Sequence, residues 1–591
     1  MEALIIPNPS LHDVASFNIL LNGAAMDASY EILSVSIEKE INRIPTAKIV
    51  LKDGDASLAK FEISDKPDFL PGAEIVVKMG FDSKNAQVFK GIITRHSVKV
   101  KENGDTQLLI QCKDIAVRMT YGRHSRYFSN QKDSELIDLL IKDYKGLSGD
   151  VSPTTLKHKE LVQHQVSNWD FMLLRAEANG MLVNVEDGKI QINRPDTTAD
   201  PVLQISYGSS VIEFEAELDT GNQWANVEAV SWDHANQNLF KANVSEATAF
   251  QQHGNVKSSD LAGATQLDKF QLSHSGHLME QELQDWVAGT MLRSRLAKIR
   301  GRAKITGFGG IKPGNMLKLS GVGARFNGNA YVTAVKQEMG EGNWYTQIQF
   351  GLDPQRYSAL YNNVNDYPAA GLVGAISGLQ IGKVLQLEND PDGEDRILVK
   401  IPVIDNTSNG TWVRVASLDA GADRGAFFRP EIDDEVIVGF LNDDPRHGVM
   451  LGMLNSSAKK APLSAKDAND EKGFFTRSAM RIHINDNTKT ITIDTPAGNS
   501  IKLDEQGAKI EIVDQNSNKI SMSSSGITIE SSQSITLKAG MNLSLTAGAS
   551  LTIGGTSLSV KADGSLGLEG AATKISSSGI TDISGSLVKI N

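Results

Sequence analysis

The sequence predicts a mainly β, multidomain protein: two β-barrel modules separated by an α/β insert, then an OB-fold, then a C-terminal trimeric needle of β-helix or β-prism type. Three observations carry that prediction. Short alternating segments punctuated by glycine turns fill most of the chain, helical periodicity is confined to a few stretches, and roughly the last hundred residues reduce to a short aliphatic repeat. A length of 591 residues, at about 150 per domain, leads us to expect about four domains rather than one small enzyme core.

Taken in order, residues 1–125 form the first β module, with alternation in Ala47-Lys48-Ile49-Val50-Leu51 and Glu74-Ile75-Val76-Val77-Lys78 and turns at LKDGD and KENGD. Over 126–205 the period changes. DSELIDLLIKDYKG places Leu136, Leu139, Leu140 and Tyr144 along one helical face, and SNWDFMLLRAEANG offers Ser167 as a cap, Asp170 at the third helical position and Gly180 as the stop. Residues 206–370 return to strands around one strong helix, in which Leu283, Trp286, Val287, Met291 and Leu296 recur at helical spacing; YNNVNDYPAAG reads as a linker. Five short strands separated by NDPDGED, DNTSNG and NDDPRHG make 371–457 an OB-like barrel. Residues 458–485 are a neck, and 486–591 the needle.

Charge narrows the partners. Lys+Arg total 59 against Asp+Glu 71, a net charge of -12, which repels nucleic acid and anionic membrane surfaces. The OB-like stretch 376–455 has 7 basic and 14 acidic residues, and its few aromatics do not interleave with Lys or Arg, which argues against single-strand binding. The one cysteine, Cys112 in LLIQCKD, reads as a buried thiol. The opening MEALIIPNPSLHD has no signal-peptide pattern and no run of about 18 apolar residues occurs, so export by a route that reads no signal peptide is expected.

After Phe475 there is no Phe, Tyr or Trp, and Pro496 is the only proline. What remains is one short strand per unit, with aliphatic residues two apart: Ile491/Ile493, Ile501/Leu503, Ile510/Ile512, Ile520/Met522, Ile527/Ile529, Ile535/Leu537, Leu543/Leu545, Leu551/Ile553, Leu558/Val560 and Leu566/Leu568. The spacing begins near about ten residues and settles near about eight. Residues two apart face one side of a strand, so each chain carries an aliphatic stripe with no helix or second sheet left to cover it. Each fully buried Ile or Leu is worth roughly 1.5 to 3 kcal/mol, so meeting the stripes of other copies yields tens of kcal/mol. Three copies around an axis close a prism in which strands also find backbone partners and edges vanish. A single-chain parallel β-helix and a disordered tail are the alternatives, the second disfavoured because the pairs stay in step throughout. The needle core is assigned to Ile527, Ile529, Ile535, Leu537, Leu543, Leu545, Leu551 and Ile553. At the end of the chain, Leu587, Val588, Ile590 and Asn591 form an apolar tip with open strand edges that calls for a cap.

The stretch TWVRVASLDAGADRGAFFRPEIDDEVIVGFLNDDPRHGVMLGMLNSS carries Trp412, Arg414, Pro430, Glu435, Gly439 and Phe440 in a long spaced pattern. It resembles the OB-fold signature of the VgrG-type spike of contractile injection systems, which is similar to the hub and cell-puncturing proteins of contractile phage tails. SNWDFMLLRAEANG looks like that family's hub helix, and GFGGIKPGNMLKLSGVGARFNGNAYVTAV is similar to its second tube-like barrel. The resemblance spans nearly the whole chain. It implies that the two amino-terminal barrels resemble inner-tube subunits, so that a homotrimer presents six of them to a hexameric tube protein. Further implied are baseplate partners, a PAAR-type tip protein, possible effector cargo, and a mechanical role: a contracting sheath drives the spike through a target membrane. Such a protein is assembled in the bacterial cytoplasm and becomes part of an injection particle. The opening VSIEKEINRIPTAKIVLKDGD, with FKGIITRHSVKV, looks more like the extracellular, phage-tail-like branch than the type VI spikes.

No catalytic residue, cofactor or metal is assigned. His274 and His277 in HSGH, or His158 with His164, lack a third ligand at a recognisable spacing. NDPDGED lacks the twelve-residue calcium-loop pattern, Gly321 and Gly323 do not continue into a phosphate loop, Asp433/Asp434/Glu435 read as a solvated strand entry, and no G-x-S-x-G elbow is present. A glycan-binding trimeric adhesin predicts aromatic platforms on the shaft, which has none. A peptidoglycan hydrolase predicts an inserted domain, for which the roughly 30 residues between Ser457 and the repeat leave no room.

Overall fold

The structure, a computed structural model, describes residues 5, 14–102, 105–248, 250–267, 269–407 and 410–590. It divides into two compact units, Met1–Gly452 and Met453–Asn591.

In the first unit, strands from the first and second β modules join into one 13-stranded sheet. The seam is antiparallel pairing of Ile32–Glu40 with Gly328–Gly340, from Ala334 opposite Glu40 to Gly340 opposite Ser34. Two cores nevertheless persist. Ile37, Ile49, Ile75, Phe89, Leu108 and Ile110 anchor one, and Leu203, Ile305, Leu317, Val332, Ile348 and Phe350 the other. The 13-residue strand Gly328–Gly340 serves both, burying Ala330, Val332 and Val335 in the second core and Met339 in the first. Cys112 is buried in the first core, and burial pushes its thiol up to about 12.

The insert holds helices α1 (Asp133–Lys142) and α2 (Asn168–Ala178), a two-stranded ribbon and a three-stranded sheet. Helix α2 begins as its sequence indicates: the Asp170 amide donates to Ser167 Oγ at 3.1 Å. Helix α1 differs from expectation. It buries Leu136, Ile137, Leu140 and Ile141 and leaves Leu139 exposed, because the core meets it on the 136/137/140/141 side. Helix α3 (Ser258–Ala264) is short. Helix α4 (Glu280–Leu296) sets Leu283, Val287 and Met291 against a three-stranded sheet of Val227–Asp233, Asn238–Val244 and Phe270–His274. One turn, α5 (Tyr357–Leu360), follows the large sheet. Among the described residues, no helix is long and apolar enough to cross a membrane.

The OB region is a closed five-stranded barrel of Leu379–Gln386, Ile397–Lys400, Thr411–Val415, Gly448–Met453 and Glu435–Phe440. Val384, Val399, Val413, Val436 and Val438 fill it.

The second unit is a seven-stranded antiparallel meander from Glu471–Phe475 to Gly526–Glu530. Its strands take backbone partners from their own chain, where the repeat led us to expect partners from other copies. The spacing explains this. At about ten residues per unit, a five-residue strand leaves enough chain for a reversing turn. Asp514 closes one such turn by accepting the amides of Asn516 and Asn518 at 2.9 and 2.8 Å. Once the spacing shortens to about eight, reversal stops: no strand is assigned among residues 531–590.

Candidate functional site

Antiparallel register gathers the aliphatic pairs into two rows. Ile491 lies opposite Leu503, Leu503 opposite Ile510, Ile510 opposite Met522 and Met522 opposite Ile527. Ile493, Ile501, Ile512, Ile520 and Ile529 line up in the same way. All point to one face, because partners directly opposite in a ladder share a side. A groove of about 570 Å³ runs along that face, lined by Ile493, Ile501, Ile512, Ile520, Ile529 and Ile535.

The opposite face is an ion-pair ladder. Arg481 pairs with Asp494 at 2.7 Å and Lys502 with Asp504 at 2.9 Å. Glu511 accepts from Lys509 at 2.8 Å and Lys519 at 2.7 Å, and these two ammonium groups hold its carboxyl down at about 2. The usual order of burial is inverted here. The Glu511 side chain is 17% exposed, whereas its neighbours Ile510 and Ile512 are 41% and 39% exposed. A sheet that covers its carboxylates better than its isoleucines carries an unusually open apolar face.

The assigned needle residues are more open still, from 52% exposed at Ile535 to 70% at Ile527, with Ile529, Leu537, Leu543, Leu545, Leu551 and Ile553 between. At the tip, Leu587, Val588 and Ile590 are exposed, while Asn591 lies outside the described residues.

The OB signature residues are brought into one barrel but not into one site. Trp412 and Arg414 flank the buried Val413 on one strand, with Trp412 half-buried opposite Leu398 and Arg414 exposed. Pro430 is buried at the strand entry, Glu435 lies opposite Lys383, and Phe440 packs on the edge of the barrel core. Gly439 sits where a Cβ would stand 3.3 Å from the Leu379 side chain.

The remaining candidates are engaged elsewhere. His158 is buried against Asp133 at 3.0 Å, and His164 is exposed. His274 hydrogen-bonds around Gly276, and His277 lies 3.8 Å from Asp233. Asp390 accepts Arg396 at 2.6 Å together with the amides of Asp392, Glu394 and Arg396, and the Arg396 guanidinium holds its carboxyl well below the usual range. Asp433 meets Lys383 at 2.8 Å. Among the described residues, no group of three or more His, Cys, Asp or Glu side chains could hold a metal ion.

Sequence reasoning missed two buried polar clusters. In one, burial would raise the Asp133 carboxyl, but hydrogen bonds from His158, Arg175 and Asn179 hold it far below its ordinary value. In the other, Glu177 of α2 meets Arg293 of α4. The available signal was a charged residue on a helix's apolar side, Leu173-Leu174-Arg175-Ala176-Glu177.

Residues 11–341 match the family model described as the Alg8 N-terminal domain, and residues 380–454 match the type VI secretion system/phage-baseplate injector OB domain. The type VI secretion system spike proteins VgrG1b and VgrG1a of Pseudomonas aeruginosa are 25% identical over 211 residues and 24% identical over 199. Those alignments cover 34% and 32% of this chain and 28% and 30% of the relatives, so less than a third of either relative's length is matched. A tail protein from Neisseria meningitidis MC58 overlays 57% of this chain and 97% of its own, at 13% identity and a TM-score of 0.43, a likeness too loose to carry an argument about function. With more than half of its length under the first family model, the chain belongs to the Alg8 N-terminal domain family, and through its OB domain and its curated relatives it is similar to VgrG-type spike proteins.

Proposed function

We propose that this chain is the central spike of a contractile injection system, a homotrimer that punctures a target membrane as a sheath contracts and carries effectors with it. The observation that supports this most is the aliphatic ridge. Ile535 through Leu568 stay exposed in the single chain, along a stretch with no strand of its own, and only other copies offer matching stripes in matching register. Two cores in the large sheet give each chain two tube-like halves, so three chains offer six to a hexameric inner tube. Baseplate proteins would surround that ring.

At the far end, a PAAR-type protein covers Leu587, Val588 and Ile590. The work is done by stiffness and force, with no covalent chemistry of the chain's own. The protein is assembled in the bacterial cytoplasm and leaves it as part of an injection particle.

Mass measurement of the full chain in solution tests the reading. A trimer that survives unheated detergent gels is expected; a monodisperse monomer with a protease-resistant tail would overturn it.

A further inference from the structure

The chain leaves the large sheet at Phe350 and enters the OB barrel at Leu379. Between them, side chains from two helices and a loop grip the backbone of the connecting segment. Arg293 of α4 donates to the carbonyls of Asp353 and Gln355 at 3.0 and 2.8 Å, and its other terminal nitrogen pairs with Glu177 Oε1 at 2.5 Å. Glu177 Oε2 in turn accepts the Tyr357 amide at 2.9 Å. Further along, Arg123 donates to the carbonyls of Asn363 and Val364 at 3.1 and 3.4 Å. Apart from the Arg293–Glu177 pair, each of these bonds ends on a main-chain group of the segment, so what is held is its path.

Beneath the grip lies a cavity of about 200 Å³ lined by Pro354, Arg356, Trp286 and the stacked pair Trp224 and Phe270. The first part of the segment therefore rests on charge-assisted hydrogen bonds and not on continuous apolar packing; Tyr357, Tyr361 and Val364 dock it onto the insert core only further on. At the other end the backbone turns left-handed through Ala369, Ala370 and Gly371, with φ of 54°, 51° and 69°. A non-glycine residue in that region is strained and persists only when its surroundings hold it. Those surroundings are at hand: Ala369 is buried, and the Ile376 amide ties the next stretch to the Asp443 carbonyl of the barrel at 2.9 Å.

We propose that residues 353–371 form a latch between hub and barrel, locked by Glu177, Arg293 and Arg123 and hinged at Ala369–Ala370. Closed, it makes the OB barrel follow the hub; opened, it lets the barrel turn on the strained hinge. Its purpose, passing thrust toward the needle, rests on the spike reading, but its existence does not.

Hydrogen exchange on the full-length protein tests it, comparing the unaltered chain with Arg293→Lys, which keeps the charge facing Glu177 but loses the fork to two carbonyls. Amides of 353–366 should exchange about tenfold faster, while α2 and α4 keep their protection within about twofold. The partly exposed Arg123→Gln, which leaves the buried cluster intact, should speed 361–366 more than 353–357. Unchanged exchange in the segment, or loss of protection in α2 and α4 alongside it, overturns the latch. The mass of the same samples reads the spike proposal separately: a trimer without segment exchange rejects only the latch, and a monomer rejects only the spike.

Discussion

Gly180 and Gly289 touch back to back: a Cβ built on Gly180 would stand 2.8 Å from Gly289 Cα, and one built on Gly289 2.7 Å from Gly180 Cα. The first ends α2 in a left-handed conformation, φ +66°, and the second lies in the middle of α4. A helix-interior glycine ordinarily costs up to about 1 kcal/mol relative to alanine, so its presence here marks a close approach of backbones.

Gly289→Ala is therefore expected to destabilise, by roughly 1 to 3 kcal/mol from forced separation of α2 and α4, despite the better helix propensity of alanine. Thermal unfolding followed by circular dichroism checks the sign. A raised melting temperature would show that the two backbones have room to part.

On the needle, Leu543→Asp with Leu545→Asp puts charges on the exposed aliphatic stripe. The double variant should lose the detergent-resistant oligomer, since a buried unpaired carboxylate costs several kcal/mol. Lys502→Ala, on the charged face, should leave it intact because exposed ion pairs contribute little. Equal effects from the two would mean that the aliphatic face is not the contact.

Acid should weaken the meander in a defined window. Glu511 is lowered from an ordinary value of 4.5 to about 2 by Lys509 and Lys519. Its contribution is complete above pH 4.5 and is lost as pH falls through about 2. Glu511→Gln should flatten the pH dependence of unfolding between those limits. A variant that keeps the full acid slope would assign it to other carboxylates.

Cys112 is expected to be silent toward thiol reagents at pH 8, because burial removes both access and thiolate. Labelling by a chromogenic disulfide should be absent in the native protein and complete in denaturant. Rapid native labelling would show that the first core opens.

Much of this was legible in short stretches. Ser167 declares the start of α2 because a cap is a bond between residues three apart, and Ile/Leu pairs declare a one-faced strand because alternation is local. Helix α1 shows the limit. Leu136 and Leu140 lie on a stripe with either Leu139 or Ile137 and Ile141, and only the position of the neighbouring core decides between them. Glu177 and Arg293, 116 residues apart, offered no local sign of meeting, and neither did the glycine pair.

The amino-acid sequence alone determined the β class, the five-strand OB pattern and the uncovered aliphatic stripe, since each follows from side-chain order along a few neighbouring residues. The tertiary structure decided that two β modules share one sheet through Ile32–Glu40 and Gly328–Gly340, and that self-pairing of the repeat ends at Glu530. Both depend on which distant backbone reaches a strand edge first, a competition among contacts that no local pattern records.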